Sequence, residues 1–379
     1  MASDQVATTV SATAAPAGKV PFIEVWRGIA VFLVVYYHYV DRLPYEALGA
    51  SAPASLPFYS GKLGVLIFLI ISGYLIAQSL SFTKTLAAFY AKRLSRLWPL
   101  FLLASVVIFV FLMFFQPPIV PDGPKQFYER PRTVIDLIGQ SFFLRDLGFQ
   151  WIDGVFWSIL VEIKFYFWIG LIAAFRPATF ARDFAIASLV ITLAQFGAEY
   201  GLPPEWAWTN RLLNGLFVAE YLPFFAIGVL LFARNYGPLL TIHILLALMQ
   251  AGIKSASNPN FDMHDTAVFF AVLALVIAAD AWLLNSRIFL LLGEYSYSLY
   301  LFHQMIGLTI IAMLAPRLGL DLAVAITFAT MLGVAIIASK AAEWRYRKRV
   351  EQMLERIFTA IGLARFRFGR EAAPRQAPA

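Results

Sequence analysis

The chain has 379 residues, of which 60% are hydrophobic and only 14% are charged, whereas a soluble domain is about 45–50% apolar and about 25% charged. This composition excludes a soluble α/β enzyme, a disordered chain and a secreted disulfide scaffold. The chain has no cysteine, so disulfides, thiolate nucleophiles and cysteine-based metal sites are also excluded. The net charge of +7 would suggest nucleic acid in a soluble protein, but here we expect no nucleic-acid partner, because the excess fits the basic loops of a membrane protein.

Ten apolar stretches approach the roughly 20 residues that a helix needs to cross the hydrocarbon core of a bilayer. They lie at 21–40, 61–79, 98–115, 154–175, 184–200, 215–233, 238–253, 266–284, 295–315 and 322–342. The seventh, which contains His243 and Gln250, is the weakest. Most are rich in Leu, Ile, Ala and Phe without strict alternation, which favours helices over porin strands. The predicted fold is an all-α, polytopic membrane helix bundle of about ten transmembrane helices.

Lysine and arginine positions orient this bundle, because cytoplasmic loops of membrane proteins are enriched in both. The basic positions at one end are Lys84, Lys92, Arg93, Arg96, Arg176, Arg182, Arg345, Arg347, Lys348 and Arg349. If they face the cytoplasm, both termini are cytoplasmic. We expect residues 1–20 to be a disordered tail, 21–343 the membrane domain, and 344–379 a basic tail that includes an amphipathic helix lying on the membrane.

Arg27 and His38 lie in the first span, eleven residues apart. This spacing puts both side chains on one helix face, roughly 16 Å apart along the axis. A histidine can accept a proton from a hydroxyl near neutral pH. The alternative is that His38 is an interfacial residue and Arg27 a positive-inside anchor.

Two further motifs follow, one in the second span and one just before the third. Ser72-Gly73 permits a close helix approach or a local kink around a channel, and simple packing is its alternative. Arg93 and Arg96, three residues apart, present two neighbouring guanidinium groups of the kind that recognise phosphate. Their alternative role is to set the orientation of the chain.

The fourth span carries a carboxylate in apolar surroundings. Ser158, directly after Trp157, is followed by Glu162 and Tyr166 at four-residue steps, so these three side chains share one helix face. Because an ionisable group is costly inside a membrane, we expect Glu162 to have a partner on another span, such as an arginine or a histidine. Lys164 lies about 200° further round the helix and is predicted to pair elsewhere.

The ninth span carries a polar stripe of Ser296, Tyr300 and His303 at steps of four and three residues. Such a stripe lines a substrate path, or it forms an aromatic belt with hydrogen bonds between helices. The four histidines of the chain are far apart, with neither HxxxH nor HExxH spacing. We therefore predict no metal site.

Taken in order, these motifs resemble acyltransferase family 3, the integral-membrane O-acyltransferases. The resemblance covers roughly residues 21–349, and one departure is that Ile163-Lys164 stands where the family usually has Glu-Gln. The matching residues are Arg27-Gly28, His38, Ser72-Gly73, Arg93, Arg96, Trp157-Ser158, Glu162, Tyr166, Ser296, Tyr300 and His303.

The resemblance implies transfer of an acyl group, commonly acetyl, from a cytoplasmic acyl-CoA to a hydroxyl of a cell-envelope or exported glycan. It implies a multi-pass protein of the bacterial inner membrane whose partners are membrane lipid and the hydroxyl acceptor, with acetyl-CoA as co-substrate and no metal. His38, Glu162 and Arg27 are the expected catalytic residues, and Arg93, Arg96 and Arg27 the expected CoA ligands. The expected substrate channel comprises Ser72, Gly73, Trp157, Ser158, Tyr166, Ser296, Tyr300 and His303.

Two other classes of protein remain as alternatives. A transporter or flippase of a lipid-linked saccharide would also need buried Arg, Glu and His, although such proteins commonly show internal repeats and interrupted helices. The sequence shows no repeat. A purely structural membrane scaffold would leave Arg27, His38 and Glu162 without a purpose.

Overall fold

The structure is a computed structural model that describes residues 21–41, 60–115, 132–201, 203, 206–235, 237–257 and 286–368. These ranges are largely helical, and their β contact is one isolated bridge between Thr85 and Arg367. The helices are α1 (Pro21–Tyr36), α2 (Ser60–Phe82), α3 (Leu86–Phe114), α4 (Val134–Ser141), α5 (Trp157–Phe175), α6 (Phe180–Phe196), α7 (Ala207–Phe217), α8 (Leu222–Phe232), α9 (Pro238–Ser257), α10 (Arg287–Glu294), α11 (Ser296–Leu318), α12 (Leu320–Ala338) and α13 (Arg345–Ala360). Short π-helical turns follow α1 (Tyr37–Asp41), α6 (Gly197–Gly201) and α12 (Ser339–Trp344).

Within the described ranges, eight helical segments are long and apolar enough to cross a membrane. They correspond to the first six, the ninth and the tenth predicted spans, and the seventh contains the shorter apolar helix Pro238–Gln250. The eighth predicted span (266–284) and the predicted tail 1–20 lie outside the described residues. The expectation of an all-α, polytopic membrane bundle is confirmed.

The third span begins earlier than the hydropathy pattern indicates. Helix α3 starts at Leu86, where the Thr85 side chain accepts a hydrogen bond from the backbone N–H of Ala88. At 29 residues it is about 43 Å long, more than the roughly 30 Å of a hydrocarbon core. Arg93 and Arg96 therefore lie on the helix itself and not in the preceding loop. We call the end of the bundle that holds the start of α3 and the start of α13 the basic end.

The sixth span, predicted as one helix, is interrupted. Helix α7 ends at Phe217, Val218 adopts a left-handed conformation with φ +53°, and α8 begins at Leu222 with a proline in its first turn. Two carbonyls at the end of α7 accept hydrogen bonds from α5, Gly215 O from Lys164 Nζ and Leu216 O from Trp168 Nε1. Side chains thus replace the helical bonds that the break removes.

Glycines allow α2 and α8 to pack at backbone distance. A Cβ added to Gly73 would lie 2.1 Å from the carbonyl oxygen of Phe225, and one added to Gly228 would lie 1.9 Å from that of Ile70. Small residues at such crossings are typical of membrane helices. The contact sets the position of the α2 face that carries Ser72.

Candidate active site

A cavity of about 760 Å³, its opening included, lies between α2, α3, α5 and the start of α11. Its apolar walls come mainly from leucine and isoleucine side chains of α2, α3 and α5. The polar side chains that line it are Arg27, Ser72, Arg93, Arg96, Ser158, Glu162, Tyr166, Ser296, Tyr297 and Tyr300. Most of the site residues predicted from the sequence, drawn from five helices, therefore meet around one space.

Glu162 is held by two hydroxyl donors. Ser72 Oγ donates to Glu162 Oε1 at 2.8 Å, and the Tyr166 hydroxyl, one turn further along α5, donates to the same oxygen. The hydrogen-bond partner of Glu162 on another span is therefore the Ser72 hydroxyl of α2, and not the arginine or histidine suggested from the sequence. The hydroxyl groups of Tyr166, four residues later on α5, and of Ser72, on the adjoining α2, occupy this position instead.

The arginines occupy the part of the cavity towards the basic end. Arg93 Nη2 donates to the carbonyl of Leu75 at 3.0 Å, while its Nε is buried without a hydrogen-bond partner. Arg93 is only 8% exposed, so the unsatisfied N–H is a costly feature in an apolar bundle. Arg27 forms an ion pair at 3.1 Å with Glu24, which precedes it by three residues on the same face of α1.

Tyr300 and Ser158 connect the cavity to the interior of the bundle. The Tyr300 hydroxyl donates to the carbonyl of Val155 at 2.9 Å and lies 2.7 Å from Ser158 Oγ. Tyr300 is buried on α11, three residues before His303. The polar stripe predicted on the ninth span therefore runs from the cavity wall inwards.

His38 and His303 contact each other directly, one turn of α11 beyond Tyr300. His303 Nε2 lies 3.1 Å from His38 Nδ1, and the ring centroids are 4.9 Å apart at an interplanar angle of 68°. Both rings are buried, and neither lines the cavity itself. His38 belongs to the π-helical turn Tyr37–Asp41, a type of turn that is common at functional sites.

The hydrogen bonds of the pair assign its neutral tautomers. His303 Nδ1 lies 2.8 Å from the carbonyl of Tyr300, and His38 Nδ1 lies 2.8 Å from the carbonyl of Val34. Because a carbonyl can only accept, each Nδ1 carries the proton. His303 Nε2 is then an acceptor for the shared His38 Nδ1–H, and the lone pair of His38 is on its Nε2. This nitrogen is able to act as a base or a nucleophile.

Two residues that support this pair were not singled out from the sequence. The Tyr39 hydroxyl donates to the carbonyl of His303 at 2.8 Å, and Asp153 accepts from the backbone N–H of Met305 at 3.1 Å. Asp153 is fully buried although it precedes the apolar stretch of α5. In the sequence, an acidic residue directly before a span is only a weak indication of a buried structural role, since most such residues lie in solvated loops.

Besides the two histidines, three of the residues discussed in the sequence analysis lie outside the cavity wall. Gly73 faces α8, as described above, so its contacts are those of helix packing, the alternative given for it in the sequence analysis. Trp157 packs on Tyr221, with ring centroids 5.3 Å apart. Lys164 forms an ion pair with Asp146 at 2.5 Å and also bonds to the end of α7. This lysine, which stands where the family usually has another residue, therefore points away from Glu162.

Among the described residues, no cluster of three His, Asp or Glu side chains is placed to hold a metal ion.

Comparison with known proteins assigns the class to which this bundle and cavity belong. The model of the acyltransferase domain of family 3 matches residues 20–339, and the chain belongs to this family. It is a multi-pass membrane acyltransferase. No solved structure gives a significant match.

Named relatives are similar over much of this range. A putative acetyltransferase, ORF330, of Acidianus two-tailed virus is 24% identical over 82% of this chain and 88% of its own length. The acyltransferase MdmB of Streptomyces mycarofaciens is 24% identical over 65% of this chain and 68% of its own length. The O-acetyltransferase OatA of Staphylococcus aureus is 24% identical over 64% of this chain, a match that spans 45% of OatA.

Proposed function

We propose that the protein transfers an acetyl group from cytoplasmic acetyl-CoA to a hydroxyl of a cell-envelope or exported glycan. The observation that carries this proposal is the buried His38–His303 pair beyond an arginine-lined cavity. A base inside the bundle and cations at its basic end suit a donor with a thioester at one end and phosphates at the other. The basic end is then cytoplasmic, in the inner membrane of a bacterium.

In this mechanism His38 Nε2 removes the proton from the acceptor hydroxyl as its oxygen attacks the thioester carbonyl carbon. The carbon–sulfur bond breaks, and the leaving CoA sulfur takes the proton back from His38. The same nitrogen is equally able to accept the acyl group first and pass it to the hydroxyl in a second step. Either route uses the tautomer that the backbone carbonyls impose.

The cations have two tasks in this proposal. Arg93 and Arg96 bind the CoA phosphates at the basic end, for which a planar guanidinium is well suited. Arg27 neutralises the charge that develops on the thioester oxygen or holds the pantetheine arm. Glu162, fixed by Ser72 and Tyr166, keeps a negative charge opposite the arginines when no donor is bound. The remaining channel residues, among them Ser158, Ser296 and Tyr300, shape the path.

The choice of acetyl and of a hydroxyl acceptor is supported by the names of relatives, since ORF330 is called an acetyltransferase and OatA an O-acetyltransferase. The apolar walls and the arginine end of the cavity suit an extended pantetheine arm with a short acyl group. A long acyl chain would compete for the same apolar walls.

Replacing His38 with alanine tests the proposal. We expect His38→Ala to lower turnover of radiolabelled acetyl-CoA by roughly 10²–10⁴-fold while binding of CoA to the purified protein is unchanged. Gln78→Ala, on the same bundle but outside the cavity lining, is the control and is expected to retain activity. Full activity of His38→Ala would overturn the assignment of the base.

Transport of a lipid-linked saccharide is the second candidate, and the interruption between α7 and α8 favours it, because broken helices are common in transporters. The break does not line the cavity described above. Proteoliposomes with purified protein and a labelled lipid-linked saccharide distinguish the two. Translocation without acetyl-CoA consumption would support transport, and acetyl transfer without translocation would exclude it.

A further inference from the structure

The C-terminal segment packs along the start of α3, next to the arginine end of the cavity. We call residues 345–368, which comprise α13 and the chain after it, the C-terminal strap. The backbone N–H of Leu86 donates to the carbonyl of Phe366 at 3.0 Å, and that of Phe368 donates to the carbonyl of Lys84 at 3.1 Å. This pairing closes the strap over the first turn of α3.

Side chains of the strap complete the contact. Leu354 is buried, and the ring of Phe358 lies 6.2 Å from that of Tyr90. The ring of Phe368 lies 6.3 Å from that of Phe89. The strap is therefore docked on the bundle through one face of α13, although it lies beyond the residues 20–339 that match the family domain.

The docked strap brings a further cation, Arg347, to the start of α3. Arg347 lies close enough to Lys92 and Arg93 to interact electrostatically with both, and Arg93 also interacts with Arg96. Among the described residues, Glu162 acts on Arg93 and Glu351 acts on Lys92. Lys92, Arg93 and Arg347 therefore lie near one another, and like charges held together are unfavourable without a counter-charge.

Two observations indicate that the counter-charge is a ligand. Arg93 lines the cavity, is more than nine-tenths buried and has an Nε–H without a partner. Arg347 is partly buried against α3, and within the described chain it forms no ion pair with an acidic side chain. Guanidinium groups so placed suit phosphate, which accepts two parallel hydrogen bonds from each.

We propose that the C-terminal strap is part of the donor site and that Arg347, together with Lys92, binds the phosphates of the donor's nucleotide end. This inference rests on the proposed function, because it assumes an acyl-CoA donor. The thioester and pantetheine arm occupy the cavity, and the phosphates pass Arg93 and Arg96 to reach the strap. A lipid headgroup offers the same phosphate chemistry, so the test separates the two sources.

The test measures binding of CoA and of S-acetylpantetheine, which lacks the nucleotide and its phosphates, by calorimetry on the full chain in phosphatidylcholine nanodiscs. We expect Arg347→Gln to weaken CoA binding about tenfold and to leave S-acetylpantetheine binding unchanged. Arg347→Lys, which keeps the charge, is expected to recover part of the loss. Arg349→Gln is the matched control, since it removes the same charge from an exposed position of the same helix.

Equal CoA affinity in Arg347→Gln and the wild type would overturn the inference and leave the proposed function standing. An equal loss in Arg349→Gln would also overturn it, because the effect would then be general electrostatics. So would a difference between Arg347→Gln and wild type that appears only with phosphatidylglycerol in the nanodisc, which would assign Arg347 to a headgroup. Absence of CoA binding by the wild type would overturn both this inference and the acyl-CoA donor.

Discussion

In the buried pair, the Nδ1–H of each histidine donates a hydrogen bond to a carbonyl of its own helix. These bonds determine which nitrogen of His38 is basic. The carbonyls belong to Val34 and Tyr300. His303 then acts on His38 as an acceptor that steadies the Nδ1–H and the ring orientation. We interpret His303 as a positioning residue, comparable in role to the groups that orient a catalytic imidazole elsewhere.

Replacing His303 tests this role at the level of one hydrogen bond. We expect His303→Phe to lower kcat at least tenfold, about 1.4 kcal/mol of transition-state stabilisation, without changing the KM for acetyl-CoA. His303→Gln, whose amide oxygen is able to accept from His38, is expected to recover part of kcat. His243→Phe is the control, because His243 is a buried histidine whose Nδ1 likewise bonds to a carbonyl of its own helix, that of Leu239.

An equal loss of kcat in the His243 variant would contradict this interpretation, since it would show that any buried histidine of the bundle matters equally. So would a fall in acetyl-CoA affinity that parallels the fall in kcat.

At the scale of helices, the site depends on how closely α2 approaches α8. We expect Gly73→Ala to destabilise the protein by about 1–3 kcal/mol, because the added methyl group would meet the Phe225 carbonyl and force the helices apart. Ser72 would shift with α2, so the bond to Glu162 would lengthen. Thermal unfolding of the detergent-purified protein measures the first effect, and acetyl transfer the second.

Gly333→Ala, in α12, is the control for this prediction. A Cβ at Gly333 meets nothing within 4 Å, and alanine is favoured over glycine in a helix by about 1 kcal/mol. We therefore expect Gly333→Ala to be neutral or stabilising. A midpoint for Gly73→Ala at or above that of the wild type would show that the α2–α8 contact adjusts without cost.

The helices that the sequence predicts are those for which hydropathy and length agree. The start of α3 is missed because Lys92, Arg93 and Arg96 lower the hydropathy of turns that remain helical at the edge of the membrane. The break at Val218 is missed because its backbone bonds are replaced by Lys164 and Trp168, which lie about 50 residues earlier in the chain.

The site is predictable to the level of residue types on a helix face, and less so in its pairings. Steps of three and four residues place Ser158, Glu162 and Tyr300 correctly towards a shared cavity. The His38–His303 contact joins residues 265 positions apart, and the π-helical turn at Tyr37–Asp41 alters the usual 100° step. A single sequence has no periodicity that encodes such a contact.

At the scale of the whole molecule, the proposed reaction requires the arginine end of the cavity to face the compartment that contains the acyl donor. The chain has no cysteine, so a single introduced cysteine reports its own side of the membrane without background. Lys348, exposed on α13, marks the basic end. Gly201, exposed after α6, marks the opposite end, and a Cβ there meets nothing within 4 Å.

We expect a membrane-impermeant maleimide to label Gly201→Cys but not Lys348→Cys in intact spheroplasts, and to label Lys348→Cys but not Gly201→Cys in inverted vesicles. The physical reason is the concentration of lysine and arginine at the basic end, which retains that end in the cytoplasm. Acetyl transfer by both variants verifies that each is folded. The reverse labelling pattern would place Arg93 and Arg96 outside the cell, where no acyl-CoA pool would reach them, and would refute a cytoplasmic donor.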